Sequence, residues 1–429
     1  MLKLCLALAI FYPVFGGGPL RFMRYQPGLR KRDVHARVLA GTARKKDALH
    51  TSEDLDWDAY PIGAMLPIDL REGIPVHRVR LPSATSVRRT STYFRALIDL
   101  CRDPATRPDV IQLHSFERLE SLFWLRRLKR LEIPIVYAIQ IARPVERKSR
   151  LARVFKRPML RIFYNGFDGI VTSSEQIAGY LRGLGVRSPI AVIPNGVDLA
   201  EYHPGDEACR KRARERLGIV GSGPVILSVG AVSPRKGSDL LISAWLELLD
   251  RHPEAELALV GPRPDHSGKD HKDFAARIEA LIAHSPHPER VHLTGLREDL
   301  SEIYAAADLV VVPTAREGGT PNVVLEAMAC ERPVLITPFV GQSKAIGRPG
   351  IEFEQTPRNP SALAEAMGDL LDDSERCAEL VERARSWVVD NLDINTSLDR
   401  FADFYRRAAE GRLCAEEIES ENPVFSRTS

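Results

Sequence analysis

The sequence predicts an α/β protein of two doubly wound parallel-sheet domains, and three observations lead there. At 429 residues the chain is long for a single hydrophobic core. Short apolar runs of strand length alternate with helix-length amphipathic segments across residues 1–200, the pattern of a parallel sheet with helices on both faces. After a polar stretch the same alternation begins again, although no sequence repeat is visible.

In the first domain the strand-like runs are 4–11, 110–113, 135–139, 169–172 and 190–193. The first could be mistaken for a signal peptide, but its apolar run is short and leads straight into Gly16, Gly17 and Gly18, so a first buried strand is expected. A polar insertion spans 49–61, and its acidic run 53–58 follows no strand, which favours a solvated loop over an Asp-x-Asp metal motif. A linker covers about 199–224, with a short basic helix around Arg210 to Arg216. The second set of runs is 225–230, 256–261, 290–294, 309–313 and 333–337. Helices are then expected at 361–371, 374–391 and 396–409, and 416–429 is too polar and short to fold alone. The expected domains are 1–200 and 201–390, with a terminal helix in 391–415 and a disordered tail at 416–429.

Composition excludes several classes. Six scattered cysteines (5, 101, 209, 330, 377 and 414), without a Cys-x-x-Cys pair or clustered histidines, suggest neither zinc nor a disulfide framework, so a reducing cytoplasm is the expected compartment. No window approaches the roughly 18 apolar residues of a spanning helix. The formal net charge of +3 hides an asymmetry: residues 1–200 carry 33 Lys and Arg against 18 Asp and Glu, the remainder 27 against 39. Basic clusters at 30–32, 44–46, 126–130 and 147–161 each suit a solvated helix face, but together they suggest an anionic partner. Nucleic acid is not expected, because aromatic residues are sparse among the clusters and no recognition motif accompanies them.

The most informative stretch is 313–329. The apolar run ending at Pro313 reads as a buried strand, Gly318, Gly319 and Pro321 bring backbone close to a ligand, and a helix follows from Asn322. Free amides and the positive end of a helix dipole suit an anion. The flanking Glu317 and Glu326 suit hydroxyls instead, so a ligand carrying both phosphate and sugar is the simplest fit.

This stretch resembles the signature of retaining nucleotide-sugar glycosyltransferases of family 4, which have two Rossmann-like domains in the GT-B fold. Four further segments resemble that family in chain order: 9–18, the first strand and glycine loop; 192–198, the close of the first domain; 227–237, a strand and basic loop; and 291–296, the strand before the signature. The resemblance covers about nine tenths of the chain. It implies two sheets whose carboxyl edges face across a cleft, with domain closure and a terminal helix crossing back to the first domain. Trp387, Phe401, Phe404 and Tyr405 would supply the apolar face of that crossing.

The resemblance also implies roles. Lys236 matches the phosphate lysine, with Arg235 beside it, and together they would stabilise the leaving nucleoside diphosphate. Glu326 matches the carboxylate that accepts from ribose hydroxyls. Glu317 would hold the transferred sugar, with the backbone of Gly319, Thr320, Pro321, Asn322 and Val323 around it. Gly17 and Gly18 would bring amides to the pyrophosphate or acceptor, and His114 and Gln140 would face the donor sugar or acceptor. The chain departs from the pattern at three places. Eight residues lie between Glu317 and Glu326, one more than usual; Ala231 follows Gly230 where an arginine is common; and Gln140 stands where many relatives have histidine.

The implied function is transfer of a sugar from a nucleoside-diphosphate sugar to a hydroxyl of a glycan or lipid-linked acceptor, with retention and without a metal or other cofactor. An enzyme of polysaccharide biosynthesis, held peripherally at the anionic inner face of a membrane, fits the basic first domain. The alternative is a catalytically weak relative that binds a nucleotide sugar or glycan and scaffolds polysaccharide assembly. A nucleotide-sugar epimerase on the same scaffold is disfavoured by the two-glutamate signature.

Overall fold

The structure is a computed structural model, and it describes residues 1–9, 11, 17–42, 59–66, 68–71, 73–82, 86–140, 150–263 and 269–414. The acidic run 53–58, the basic cluster 44–46, Gly16 and the tail 416–429 lie outside the described residues. The chain forms two compact units: Met1–Ile193 joined by the last helix from Ser397, and Pro194–Thr396. The second unit thus starts inside the segment expected to close the first domain, ahead of the expected boundary at residue 200.

In the first unit the strands are β1 (Leu2–Leu8), β2 (Val34–Gly41), β3 (Asp69–Arg71), β4 (Ile74–Val79), β5 (Val110–Leu113), β6 (Ile135–Ile139), β7 (Gly169–Thr172) and β8 (Ile190–Val192). They form one sheet in the order β3-β4-β2-β1-β5-β6-β7-β8, parallel except for the antiparallel edge strand β3. The helices are α1 (Gly17–Arg30), α2 (Ser86–Arg102), α3 (Leu119–Lys129), α4 (Arg150–Tyr164) and α5 (Glu175–Gly183). Because β1 pairs with β2 on one side and β5 on the other, the strand order reverses beside β1. The central strands are buried on both faces, as their continuous apolar runs require.

The second unit has α6 (Glu207–Leu217), β9 (Val225–Val229), α7 (Ser238–Leu248), β10 (Glu256–Val260), α8 (Lys269–Ala283), β11 (Val291–Gly295), α9 (Leu300–Ile303), β12 (Leu309–Val312), β13 (Arg316–Gly319), α10 (Asn322–Ala329), β14 (Val334–Ile336), β15 (Val340–Gln342), β16 (Glu354–Gln355), α11 (Pro360–Asp372) and α12 (Ser374–Asn391). Its six-stranded parallel sheet runs β11-β10-β9-β12-β14-β16, so here the order reverses between β9 and β12. The core between α7, α11 and the sheet centres on Trp245, which is fully buried and donates its Nε1–H to Ala255 O. The expected basic helix is α6, capped by Asp206, whose carboxylate accepts from Cys209 N, and stopped by left-handed Gly218.

The last helix, α13 (Ile394–Ala409), returns to the first unit. Phe401 meets Tyr25 edge to face, Leu398 packs so close to Gly28 that a Cβ there would lie 2.3 Å from its Cδ1, and Tyr405 donates to Gln112 Oε1 at 2.8 Å. Trp387, expected on this face, belongs to α12 in the second unit and donates to Ala345 O.

Candidate functional site in the second unit

In open parallel sheets, ligands bind beyond the carboxyl ends of the strands where the strand order reverses. In this unit that place is the tip of β9 and β12. A small cleft there is lined by Gly230, Ala231, Val232, Lys236, Ser238 and Pro313, among others. The loop after β9 turns through Gly230 (φ 142°) and enters α7 through left-handed Gly237 (φ 74°). Gly237 leaves no room for a side chain, since a Cβ would sit 2.3 Å from Pro313 O. The basic loop is therefore pressed against the end of β12.

Two hydrogen bonds to one carbonyl lock the two loops together: Ala315 N and the Thr314 side-chain Oγ1 both donate to Arg235 O, at 2.9 and 3.2 Å. Arg235 Nη1 donates to Arg316 O at 3.0 Å and to Glu317 Oε1 at 2.6 Å, and Lys236 Nζ pairs with the same carboxylate oxygen. Two cations thus converge on Glu317 Oε1. Burial alone would raise the Glu317 pKa, but the charges of Lys236 and Arg235 outweigh it and hold the carboxyl below its ordinary value. Arg235 reaches this point from beyond the loop's start, where Ala231 offers no charge.

The extra residue between the two glutamates has a structural outlet. β13 pairs with β15 with Arg316 opposite Val340 and Gly319 opposite Gln342, so β13 advances three residues where its partner advances two. This bulge absorbs the insertion while Glu317 still faces the two cations. Gly319 takes a left-handed φ of 54°, Thr320 is buried, and Pro321 caps α10 in extended conformation, immediately before the helix begins at Asn322. Asn322 and Val323 supply the first amides of α10, the ones that lack intrahelical partners. Glu326, one turn further, is buried at 3% exposure and accepts from the Tyr304 hydroxyl at 2.8 Å.

Sequence reasoning missed Tyr304. It sits in an apolar stretch before β12 where a tyrosine looks like core, and only its hydroxyl's partner distinguishes it. Asn195, in the segment 192–198, is bonded twice to Thr320 and thereby supports the signature turn.

In the first unit, Gly17 and Gly18 open α1 rather than forming a separate loop, and Gln140 follows β6, half-buried. His114, just past β5, is 7% exposed and turned into the unit. Its Nε2 meets Gln112 Nε2 at 2.8 Å, and Tyr405 orients that amide from the other side. Phe22 packs on its ring at 4.7 Å. Burial first, then the Arg21 charge, lowers its pKa to about 3, against a weaker opposite effect of a hydrogen bond to the Ala138 backbone. His114 is a neutral, built-in ring at neutral pH.

Two family models cover most of the chain: one described as "Glycosyl transferases group 1" matches residues 223–373, and one described as "Glycosyl transferase 4-like domain" matches 16–196. A D-inositol 3-phosphate glycosyltransferase of Corynebacterium jeikeium is 30% identical over 297 residues, which are 66% of this chain and 69% of that protein. The chain belongs to the group 1 glycosyltransferases. A second relative of this glycosyltransferase is the GDP-mannose-dependent alpha-(1-6)-phosphatidylinositol monomannoside mannosyltransferase of Mycolicibacterium smegmatis, 31% identical over 60% of this chain and 66% of that one. The crystal structure of Anabaena Alr3699/HepE in complex with UDP superposes with a TM-score of 0.70 over 95% of this chain and all of that one, at 19% identity. The enzyme therefore has the GT-B fold, with two parallel-sheet α/β domains. Among its described residues no helix is long and apolar enough to cross a membrane, and no group of His, Cys, Asp and Glu is arranged to hold a metal ion.

Proposed function

We propose that this glycosyltransferase moves a sugar from a nucleoside-diphosphate sugar to a hydroxyl of a glycan or lipid-linked acceptor, with retention of configuration. The observation that carries the reading is the convergence of Arg235 and Lys236 on one point beside the start of α10, at the β9/β12 switch. There a diphosphate would replace the Glu317 carboxylate as the partner of the two cations, freeing Glu317 for sugar hydroxyls together with the backbone of Gly319, Thr320, Pro321, Asn322 and Val323. Glu326 would accept from the ribose.

In the step itself the bond from the anomeric carbon to the leaving phosphate oxygen breaks, and its electron pair stays on that oxygen. The acceptor oxygen bonds to the same face of the carbon, and its proton passes to the departing phosphate. Lys236 and Arg235 stabilise the charge that appears on that phosphate, so their effect belongs to the transition state. In this scheme they take the place of a divalent cation, and no cofactor takes part. His114 is not assigned a proton-transfer role, because its low pKa and packed ring suit support of α1 and β5. Gly17, Gly18 and Gln140 keep their proposed places around the donor or acceptor at the strand ends of the first unit.

Two things favour a phosphate-bearing or lipid-linked acceptor met at an anionic membrane surface. One is the excess of Lys and Arg in residues 1–200. The other is the character of the relatives, named for inositol phosphate and phosphatidylinositol mannoside acceptors.

A thermal-shift screen of GDP, UDP, ADP and their sugar derivatives, without added metal, tests the donor reading. The expected result is a selective shift with one base that disappears in Lys236→Ala. No shift in the wild type would favour the scaffold alternative.

A further inference from the structure

We infer that Tyr304 is a positioning residue for the donor's ribose: it holds Glu326 in the orientation that accepts from the ribose diol, so discrimination against 2′-deoxyribonucleotides runs through a phenol that the substrate does not touch. The inference rests on the assignment of Glu326 to the ribose.

A buried carboxylate is costly unless it is hydrogen-bonded. Glu326, at 3% exposure, has the Tyr304 hydroxyl at 2.8 Å on Oε2. The guanidinium groups of Arg385 and Arg332 donate to backbone, Arg385 to Ala329 O at 2.6 Å and Arg332 to Cys330 O and Ala307 O at 3.0 and 3.3 Å. The phenol itself is neutral, so its hydrogen bond orients the carboxylate without adding a positive charge, which suits an acceptor for hydroxyls.

Tyr304 itself is held firmly. It is fully buried, Tyr202 meets its ring edge to face at 6.1 Å, and its carbonyl accepts from Ala307 N in the short 3-10 turn that feeds β12. Burial and the Glu326 charge push its pKa well above the usual range, so it remains a donor. The same turn that starts the central strand thus sets the direction of the ribose carboxylate. A structural tyrosine at this place would need only its ring; the hydroxyl aimed at Glu326 is the part that packing does not explain.

The test is isothermal titration of the full-length enzyme with GDP, UDP and their 2′-deoxy counterparts, in the wild type and in Tyr304→Phe. The wild type is expected to bind its preferred nucleotide about tenfold more tightly than the 2′-deoxy form. In Tyr304→Phe that ratio should fall to about threefold or less, with the 2′-deoxy affinity unchanged, donor KM raised and kcat nearly unchanged. Equal weakening of both forms would mark a merely structural role and overturn the proposal. A wild type that discriminates together with a variant of unchanged ratio would also overturn it, leaving the Glu326 assignment intact. A wild type without discrimination would instead overturn the Glu326 assignment, and this inference with it.

Discussion

Asn195 and Thr320, 125 positions apart, hold each other through two hydrogen bonds: the Asn195 backbone N–H donates to Thr320 Oγ1 and its side-chain Nδ2 donates to Thr320 O, both at 2.7 Å. Both residues are buried. The pair ties the start of the second unit to the signature turn that presents α10.

Asn195→Ala removes one of these bonds and leaves the buried Thr320 carbonyl short of a donor. A loss of about 1–3 kcal/mol is expected. Urea unfolding would measure it, and a donor KM that rises while kcat holds would show that the turn has loosened.

Gly237→Ala should be damaging although it removes no functional group. The new Cβ would have to occupy left-handed backbone at φ 74° and approach Pro313 O, a backbone atom that cannot step aside. Strain of about 1–3 kcal/mol from the backbone alone is expected, together with displacement of Lys236 and weaker nucleotide binding. Thermal melting and nucleotide titration read the two effects separately. Normal melting and normal binding would contradict the close packing of the loop on β12.

His114 makes stability pH-dependent in a definite direction. Its pKa is about 3 in the folded enzyme against 6.5 ordinarily, so between those values the unfolded chain binds the proton and the folded one does not. Its contribution to stability is therefore full above pH 6.5 and is lost on acidification, at up to about 1.4 kcal/mol per pH unit. His114→Asn should flatten this slope in melts between pH 7.5 and 5.5. An unchanged slope would show that the ring is not held neutral.

Glu317 also loses its contribution on acidification, although here the charged form is the one the fold holds. Its folded pKa lies below the ordinary 4.5, so the ion pairs with Lys236 and Arg235 stabilise the enzyme fully above about pH 4.5 and are lost as pH falls through the folded value. Glu317→Gln should be less stable than wild type at neutral pH, and the gap should close in acid. A gap independent of pH would mean that the pairing contributes through packing rather than charge.

Much of this enzyme was legible in the chain alone, for a physical reason. A strand buried on both faces must be a continuous apolar run, and a turn at left-handed φ favours glycine; both are local demands that leave marks at fixed positions. The runs at 110–113, 135–139 and 169–172 and the helices at 374–391 and around 361–371 coincide with β5, β6, β7, α12 and α11. The order of the motifs at 192–198, 227–237 and 313–329 likewise pointed to the family. What residues far apart do to one another left no such mark. The register shift that absorbs the extra glycine, the two cations on one oxygen of Glu317, the phenol of Tyr304 behind Glu326, and the chain from Tyr405 through Gln112 that buries His114 all depend on where separate elements meet. Trp387 and Tyr405 are alike in sequence, each an aromatic on an amphipathic helix, yet one packs in the second unit and the other returns to the first. Local pattern determined which segments are strands and helices; tertiary packing alone decided which side chains touch.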